Sequence, residues 1–138
     1  MKPLYILDAC ALIAYFNDEQ GADVVFDLLQ SFQQGSVSVF MHKINLLEIY
    51  YGFYKERGKT IADEMLADVI DSGIQIIDHI SDSVFFMAGR LKGMYRISLG
   101  DSILLAQAFV SDAAVVTCDH HEFDPIEQAE AIIFKWIR

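Results

Sequence analysis

Short apolar runs alternate with longer stretches of helical periodicity along the whole chain. Runs of about four apolar residues without polar alternation are typical of strands buried on both faces. Between these runs, apolar residues recur at three- and four-residue spacing, which is typical of amphipathic helices. The pattern predicts strands at 4–7, 37–40, 74–77, 113–117 and 131–134, helices from near residue 11 and at 22–33, 42–57, 60–71, 81–94 and 103–110, and a turn-rich segment at 118–125.

This alternation predicts the fold class. Parallel strands need helical crossovers, and these crossovers are right-handed, so strands alternating with helices indicate an α/β fold. We expect three layers, α/β/α, around a central parallel sheet of about five strands. A chain of 138 residues fits a single domain spanning 1–138. Pro3 and Pro125 are expected to lie outside the helices and strands, because proline disrupts both.

Composition narrows the compartment. The hydrophobic fraction of 54% and the mean hydropathy of +0.30 are high, yet no apolar stretch approaches the roughly 18 residues that span a bilayer. The first predicted strand follows Met1 to Pro3 directly, which leaves no room for a signal peptide. We therefore expect a cytoplasmic protein without membrane contact, in which Cys10 and Cys118 are reduced thiols.

The net charge of −10 opposes sequence-independent binding of nucleic acid, which relies on many Lys and Arg contacts to phosphate. A nuclease that holds Mg²⁺ with acidic side chains is an exception, because its site is negative by design and the metal reverses the local charge. The densest basic patch consists of Arg90, Lys92 and Arg96. This patch is either a contact for RNA or a solvated helix end.

Two acids follow predicted strands. Asp8 comes directly after the strand at 4–7, and Asp119 follows the strand at 113–117 after one intervening residue. Ligands of open α/β sheets bind beyond the carboxyl ends of the strands, so both positions favour chemistry. Each residue also has a structural alternative: Asp8 as the cap of the next helix, and Asp119 as a turn residue.

Two further acids lie on predicted helices. Glu48 shares a stripe with Leu47 and Tyr51 that we expect to be buried, and a buried carboxylate without a partner is costly. Asn45, one turn earlier, is placed to hold this carboxylate. Asp101 shares a face with apolar residues of the following helix, and its alternative is a charge that the helix dipole favours.

Four carboxylates at one edge of a sheet would repel each other unless a cation neutralised them. Oxygen ligands without a set of Cys or His ligands favour Mg²⁺ or Mn²⁺ over Zn²⁺. Such ions usually complete their coordination with water and with phosphate of the substrate. The four acids therefore predict a metal site for phosphoryl transfer or phosphodiester hydrolysis.

At four places, in one order, the chain resembles PIN-domain ribonucleases, especially toxins of the VapC type. The segments are LDACALIAYF at 7–16, NLLE at 45–48, LGDSILLA at 99–106 and TCDHHEF at 117–123. The resemblance implies an endoribonuclease that depends on Mg²⁺ or Mn²⁺ and uses a metal-activated water. It implies metal ligands and catalytic residues at Asp8, Glu48, Asp101 and Asp119, with supporting roles for Asn45, Thr117 and Ser102.

Two positions depart from the family pattern: Cys10 stands where Ser or Thr is common, and Ser102 stands where Ala is frequent. The resemblance also implies an RNA substrate, a homodimer and a cognate antitoxin protein. We expect the dimer surface at the aromatic run 50–54 or at 85–87. The alternatives are a housekeeping RNA-processing nuclease and an inert interaction module. A phosphatase of the haloacid-dehalogenase kind is disfavoured, because it needs a second Asp where Cys10 stands.

Overall fold

The computed structural model describes residues 2–138, which form a sheet of five strands and seven α-helices. The strands are β1 (Leu4–Leu7), β2 (Ser38–His42), β3 (Gln75–Ile77), β4 (Ala114–Thr117) and β5 (Phe134–Trp136). The helices are α1 (Ala9–Phe16), α2 (Ala22–Gln33), α3 (Lys43–Arg57), α4 (Lys59–Asp71), α5 (Asp82–Met94), α6 (Leu99–Ser111) and α7 (His120–Ala129).

All strand pairs in the sheet are parallel, and the strand order is β3-β2-β1-β4-β5. The chain therefore moves outward from β1 to β3, returns to the other side of β1, and continues outward through β4 and β5. The gap between β1 and β4 is the switch point of the topology, where open α/β sheets usually bind their ligands. Ile6 of β1 pairs with Phe40 of β2 and Val115 of β4, which fixes the register at the centre.

Alternate residues of the central strands point into two separate cores. Leu7 packs into a core formed with α1 to α4, whereas Ile6 packs into a core formed with α5 to α7. Both side chains are fully buried, and burying such a side chain contributes about 2 kcal/mol. The sheet is thus covered on both faces, which confirms the predicted three-layer α/β/α fold.

The prediction of a turn-rich segment at 118–125 is wrong from His120 onward, because α7 begins at His120 and includes Pro125. Asp119 caps this helix by accepting a hydrogen bond from the Glu122 amide at 3.1 Å. Phe123 and Ile126 are both fully buried one turn apart. The burial of this apolar pair and the cap hold the helix despite a proline in its second turn, so Pro125 is not outside the elements.

Other predicted boundaries shift by a few residues. The last strand lies at Phe134–Trp136 instead of 131–134, because Phe134 pairs with Val115 and Trp136 pairs with Thr117. Helix α6 begins at Leu99, four residues before the predicted start, because the Ser98 hydroxyl accepts a hydrogen bond from the Asp101 amide and caps the helix. Asp101 therefore lies in the first turn of α6 and not in the segment that leads into it.

Large apolar side chains remain exposed on α5 and α6. Phe85 and Phe86 expose 63% and 73% of their surface, and Leu99 exposes 61%. The first two are packed edge to face against each other, with ring centroids 5.3 Å apart. Within residues 2–138, no helix combines the length and the apolar character needed to cross a membrane.

Candidate active site

A cleft of about 310 Å³ opens beyond the carboxyl ends of β1 and β4. Helices α3 and α6 contribute to its walls, so four elements that are distant in sequence meet at the switch point of the sheet. The structure brings all four acids of the sequence prediction into this cleft. Its lining consists of Asp8, Ala9, Cys10, Ile13, Glu48, Tyr51, Ser98, Asp101 and Asp119.

Asp8 lies at the base of the cleft, and only 5% of its surface is exposed. Its Oδ2 accepts hydrogen bonds from the Thr117 hydroxyl at 2.8 Å and from the Cys10 thiol at 3.3 Å. Although Asp8 immediately precedes α1, its side chain makes no capping hydrogen bond. Burial raises the pKa of Asp8, and the nearby charge of Asp119 adds to this effect. The Asp8 carboxylate is thus oriented by Thr117 and Cys10 at the base of the cleft and does not cap α1.

The Cys10 thiol performs the hydrogen bonding that a hydroxyl would perform at this position. Its Sγ lies 3.3 Å from the Thr117 Oγ1 and accepts a hydrogen bond from the Cys118 amide at 3.3 Å. Burial, followed by the charge of Asp8, raises the pKa of the Cys10 thiol far above its usual range. The protonated thiol therefore donates a hydrogen bond to Asp8. Cys10 thus keeps the hydrogen bonds of this position although Ser or Thr is common there in the family.

Thr117 joins the two acids that follow strands. Its fully buried hydroxyl donates to Asp8 and accepts from the Asp119 amide at 3.1 Å. Asp119 uses its Oδ1 to cap α7 through the Glu122 amide. One hydroxyl thus connects the end of β1 with the segment after β4.

Glu48 reaches the cleft from α3 and is held at the start of α6. Its Oε1 accepts a hydrogen bond from the Asn45 Nδ2 at 3.0 Å, and the same nitrogen lies 3.4 Å from the Gly100 carbonyl oxygen. A Cβ at Gly100 would lie 2.5 Å from the Glu48 Oε1, so glycine leaves room for the carboxylate. Burial raises the pKa of Glu48, and the charge of Asp8 adds to the rise.

Asp101 lies in the first turn of α6, where its amide is bonded to the Ser98 hydroxyl at 3.0 Å. Burial raises the pKa of Asp101 to about 7, with further contributions from the charges of Asp8 and Glu48. A carboxyl group with this pKa is close to half protonated at neutral pH.

The chemistry of the cleft fits a divalent cation. Its charged lining residues are all acidic, and no Lys or Arg of residues 2–138 lines it. No three of the described His, Cys, Asp and Glu side chains form a close-set metal cluster. In proteins, Mg²⁺ usually keeps several waters and is bound through only one or two carboxylates. A bound cation would also relieve the repulsion that raises the pKa of Asp101.

The remaining predicted residues lie elsewhere. Ser102 donates its hydroxyl to the Leu99 carbonyl at 2.7 Å and does not line the cleft. Arg90 is paired with Glu130, so its charge is largely compensated. Lys92 and Arg96 are exposed, and neither lines the cleft. The basic patch is thus reduced to two exposed cations outside the acidic site.

Three residues that contribute to the site, Ser98, Gly100 and Tyr51, were not among the predicted site residues. Ser98 was detectable as a cap, since a serine three residues before an acid at a helix start is typical of helix N-termini. Gly100 matters only because Glu48 of another helix packs against it. Tyr51 lines the cleft three residues after Glu48, one turn along the same helix, although the sequence placed it on a buried stripe.

The protein is thus an α/β/α domain with an acidic cleft at the switch point of its parallel sheet. The chain belongs to the PIN domain family, whose model matches residues 5–127. Comparison with curated proteins gives no significant match.

Several solved structures have a similar fold. VapBC2 from Rickettsia felis, bound to a promoter DNA fragment, is 24% identical with a TM-score of 0.73, covering 96% of this chain and 98% of that chain. DNA-bound VapBC from Salmonella typhimurium is 19% identical with a TM-score of 0.74, covering 100% of both chains. VapC20 from Mycobacterium tuberculosis, a toxin that cleaves the sarcin-ricin loop, is 12% identical with a TM-score of 0.65, covering 94% of this chain and 96% of that chain.

Proposed function

We propose that the protein is a Mg²⁺- or Mn²⁺-dependent endoribonuclease and the toxin of a toxin–antitoxin pair. The observation that carries this proposal is the convergence of Asp8, Glu48, Asp101 and Asp119 in one cleft at the switch point of the sheet. The fold that the chain shares with VapC20 supports RNA as the substrate, since that protein is a toxin that cleaves the sarcin-ricin loop.

The four carboxylates would hold the cation. When bound, Mg²⁺ or Mn²⁺ supplies positive charge for the scissile phosphate and lowers the pKa of a coordinated water. Asp8 contributes a carboxylate whose Oδ2 is fixed by Thr117 and Cys10, so its orientation is set before any ligand binds. Glu48 is fixed in the same way by Asn45. This preorganisation places the charges of the cleft without a rearrangement of the chain.

Water is the attacking group, because no side chain in the cleft is prepared as a nucleophile. The Cys10 thiol is kept protonated by burial and by Asp8, and a thiol attacks only as the thiolate. The Ser98 hydroxyl accepts a hydrogen bond from the Asp101 amide as a helix cap. No histidine among the residues that line the cleft could act as a base and activate this hydroxyl. The acids that surround the cleft are the groups able to take up the proton released by the water.

Incubation of the protein with mixed RNA and Mg²⁺ tests this function. We expect cleavage by the wild type, none in EDTA, restored cleavage after excess Mn²⁺, and none by Asp8→Asn. Expression in bacteria separates a toxin from a housekeeping nuclease, since a toxin arrests growth and the Asp8→Asn variant does not. Cleavage that persists in Asp8→Asn would overturn the assignment of the site, and wild-type protein without cleavage of any RNA would overturn the function.

A cognate antitoxin is the expected partner, because the solved structures with this fold include a toxin–antitoxin complex. The lining of the cleft indicates the chemistry of the inhibiting contact. An acidic cleft without its own Lys or Arg is complementary to a basic side chain, and such a side chain would compete with the cation for the carboxylates.

We also propose a homodimer formed by α5 and α6. Phe85, Phe86 and Leu99 line a groove of about 740 Å³, and exposed apolar surface of this kind is typical of protein interfaces. The aromatic run on α3 is a poorer interface, because Phe53 is buried in the core. Light scattering should give twice the mass of the chain for wild type and a monomer for Phe86→Glu. A wild-type monomer at micromolar concentration would overturn the dimer.

A further inference from the structure

Tyr51 is an aromatic side chain that stands alone in the wall of the acidic cleft. It exposes 58% of its surface and lines the same cavity as Glu48 and Asp101. Among the described residues, its hydroxyl makes no hydrogen bond and its ring has no aromatic partner. Because Tyr51 follows Glu48 by three residues on α3, the two side chains lie on neighbouring positions of one helix face.

The other aromatic residues of α3 have structural roles that account for them. Phe53 is buried and packs edge to face on Phe16, with ring centroids 6.2 Å apart. Tyr50 donates its hydroxyl to Asp63 at 2.7 Å, and Tyr54 packs against Tyr50 at 6.1 Å. Among the aromatic residues of α3, only Tyr51 borders the carboxylates, and in the described chain it has neither an aromatic partner nor a hydrogen bond from its hydroxyl.

The cleft lacks the groups that usually hold the remainder of a nucleic acid. No Lys or Arg of residues 2–138 lines it, so the wall of the cleft itself offers no cation to the phosphates of a substrate. An exposed aromatic ring offers the other general interaction with a nucleotide, which is stacking on the face of a base. Stacking tolerates all bases, because every base has a π-face.

We propose that Tyr51 is the base-stacking residue of this site, and that it binds the base of an unpaired nucleotide next to the scissile phosphate. The inference rests on the proposed ribonuclease function and deepens it. Within a duplex, both faces of a base are covered by its neighbours, so a stacking platform selects single-stranded segments. We expect the contact with Tyr51 to depend only weakly on base identity at the stacked nucleotide.

Two measurements test Tyr51. Cleavage of a mixed single-stranded RNA pool gives KM and kcat, and we expect Tyr51→Ala to raise KM about tenfold while Tyr51→Phe stays within about twofold of wild type. Fluorescence anisotropy with Ca²⁺ in place of Mg²⁺ compares a labelled single-stranded RNA of about 20 nucleotides with an equally long chain of abasic riboses. Wild type should prefer the RNA that carries bases by about tenfold, and Tyr51→Ala should lose most of this preference.

Tyr54→Ala is the matched control, because Tyr54 is an aromatic residue of the same helix, 49% exposed, that does not line the cleft. It should retain both the KM and the preference for bases. An unchanged preference in Tyr51→Ala overturns the inference while leaving the ribonuclease function intact. A loss of dimer mass in Tyr51→Ala without a change in preference also overturns it, since the ring would then belong to an interface. Wild type that neither binds nor cleaves RNA overturns the proposed function and the inference together.

Discussion

Replacing Asp101 with asparagine should abolish RNA cleavage and at the same time stabilise the protein in the absence of metal. Cleavage should fall by at least about 100-fold, since removing even a hydrogen-bond partner of a metal ligand typically costs about 10- to 100-fold. Stability should rise because the position is partly buried and lies near other acids. Both features disfavour the negative charge of Asp101, and the asparagine side chain is neutral. Activity falls while stability rises because the charge of Asp101 is needed to bind the cation but destabilises the folded protein without it.

The pH dependence follows from the same group. Burial and the neighbouring acids raise the pKa of Asp101 from 3.8 to about 7, so between these pH values the folded chain binds more protons than the unfolded chain. The free energy of unfolding therefore falls as the pH rises through this window. Burial also raises the pKa values of Asp8 and Glu48, which gives the same sign. One pKa unit corresponds to about 1.4 kcal/mol, and after discounting for water in this open cleft we expect a loss of about 2 kcal/mol.

Thermal unfolding in EDTA at pH 5 and pH 8 measures this loss. Wild type should melt at a higher temperature at pH 5, and Mg²⁺ added at pH 8 should recover the difference. Asp101→Asn should melt higher than wild type at pH 8 and show a shallower dependence on pH. Asp27→Asn is the control, because this acid is exposed on α2 away from the cleft. Equal pH dependence in wild type and Asp101→Asn would contradict the role assigned to the charge.

The fold was accessible to sequence reasoning because its determinants are local. Ile6 and Leu7 belong to an apolar run that only a doubly covered strand explains, and both are fully buried. Asp8 and Asp119 were found by the same logic, since the end of a strand in a parallel sheet defines a place in the fold. Helix α7 was not predicted because it contains Pro125, and proline usually disrupts a helix. Asp119 and Glu122 nevertheless have the spacing of a capping box, which marks the start of a helix.

The environment of Glu48 was not accessible in this way. The prediction that Leu47 and Tyr51 share a buried stripe with it is wrong, since they expose 53% and 58% of their surface. Glu48 is half-buried instead because the start of α6 covers it, with Gly100 at the point of contact. That contact joins two helices about fifty residues apart, and no periodicity within either helix encodes it.

Charge compensation was equally hidden. Arg90 looked available in the sequence because its local neighbours include Lys92 and Arg96. In the structure, Glu130 holds Arg90 and also accepts a hydrogen bond from the Tyr95 hydroxyl. The partner lies forty residues later in the chain. Long-range pairing of this kind explains why the basic patch was the weakest part of the sequence prediction.

Gly100→Ala should remove activity while leaving the fold intact. The new Cβ would lie 2.5 Å from the Glu48 Oε1 and 3.1 Å from its Cδ, so the carboxylate must move. Glu48 ends in a flexible side chain, and its displacement breaks the hydrogen bond from Asn45 without disturbing any backbone. A misplacement of about 1 Å costs about 100-fold in rate, and we expect a loss of cleavage of this order. Alanine is the better helix former, so the melting temperature should not fall.

The comparison that isolates this effect is Gly52→Ala, one turn after Glu48 on α3, where a new Cβ would meet nothing within 4 Å. Both variants exchange a helical glycine for alanine, and the helix propensity gained is about 1 kcal/mol at most in each. Gly52→Ala should therefore cleave RNA as wild type does and melt slightly higher, whereas Gly100→Ala should lose both cleavage and the stabilisation that we expect Mn²⁺ to give to the wild type. Cleavage by Gly100→Ala at the wild-type rate would show that Glu48 functions equally well from another position. In that case the close contact of Glu48 with α6 would serve only packing.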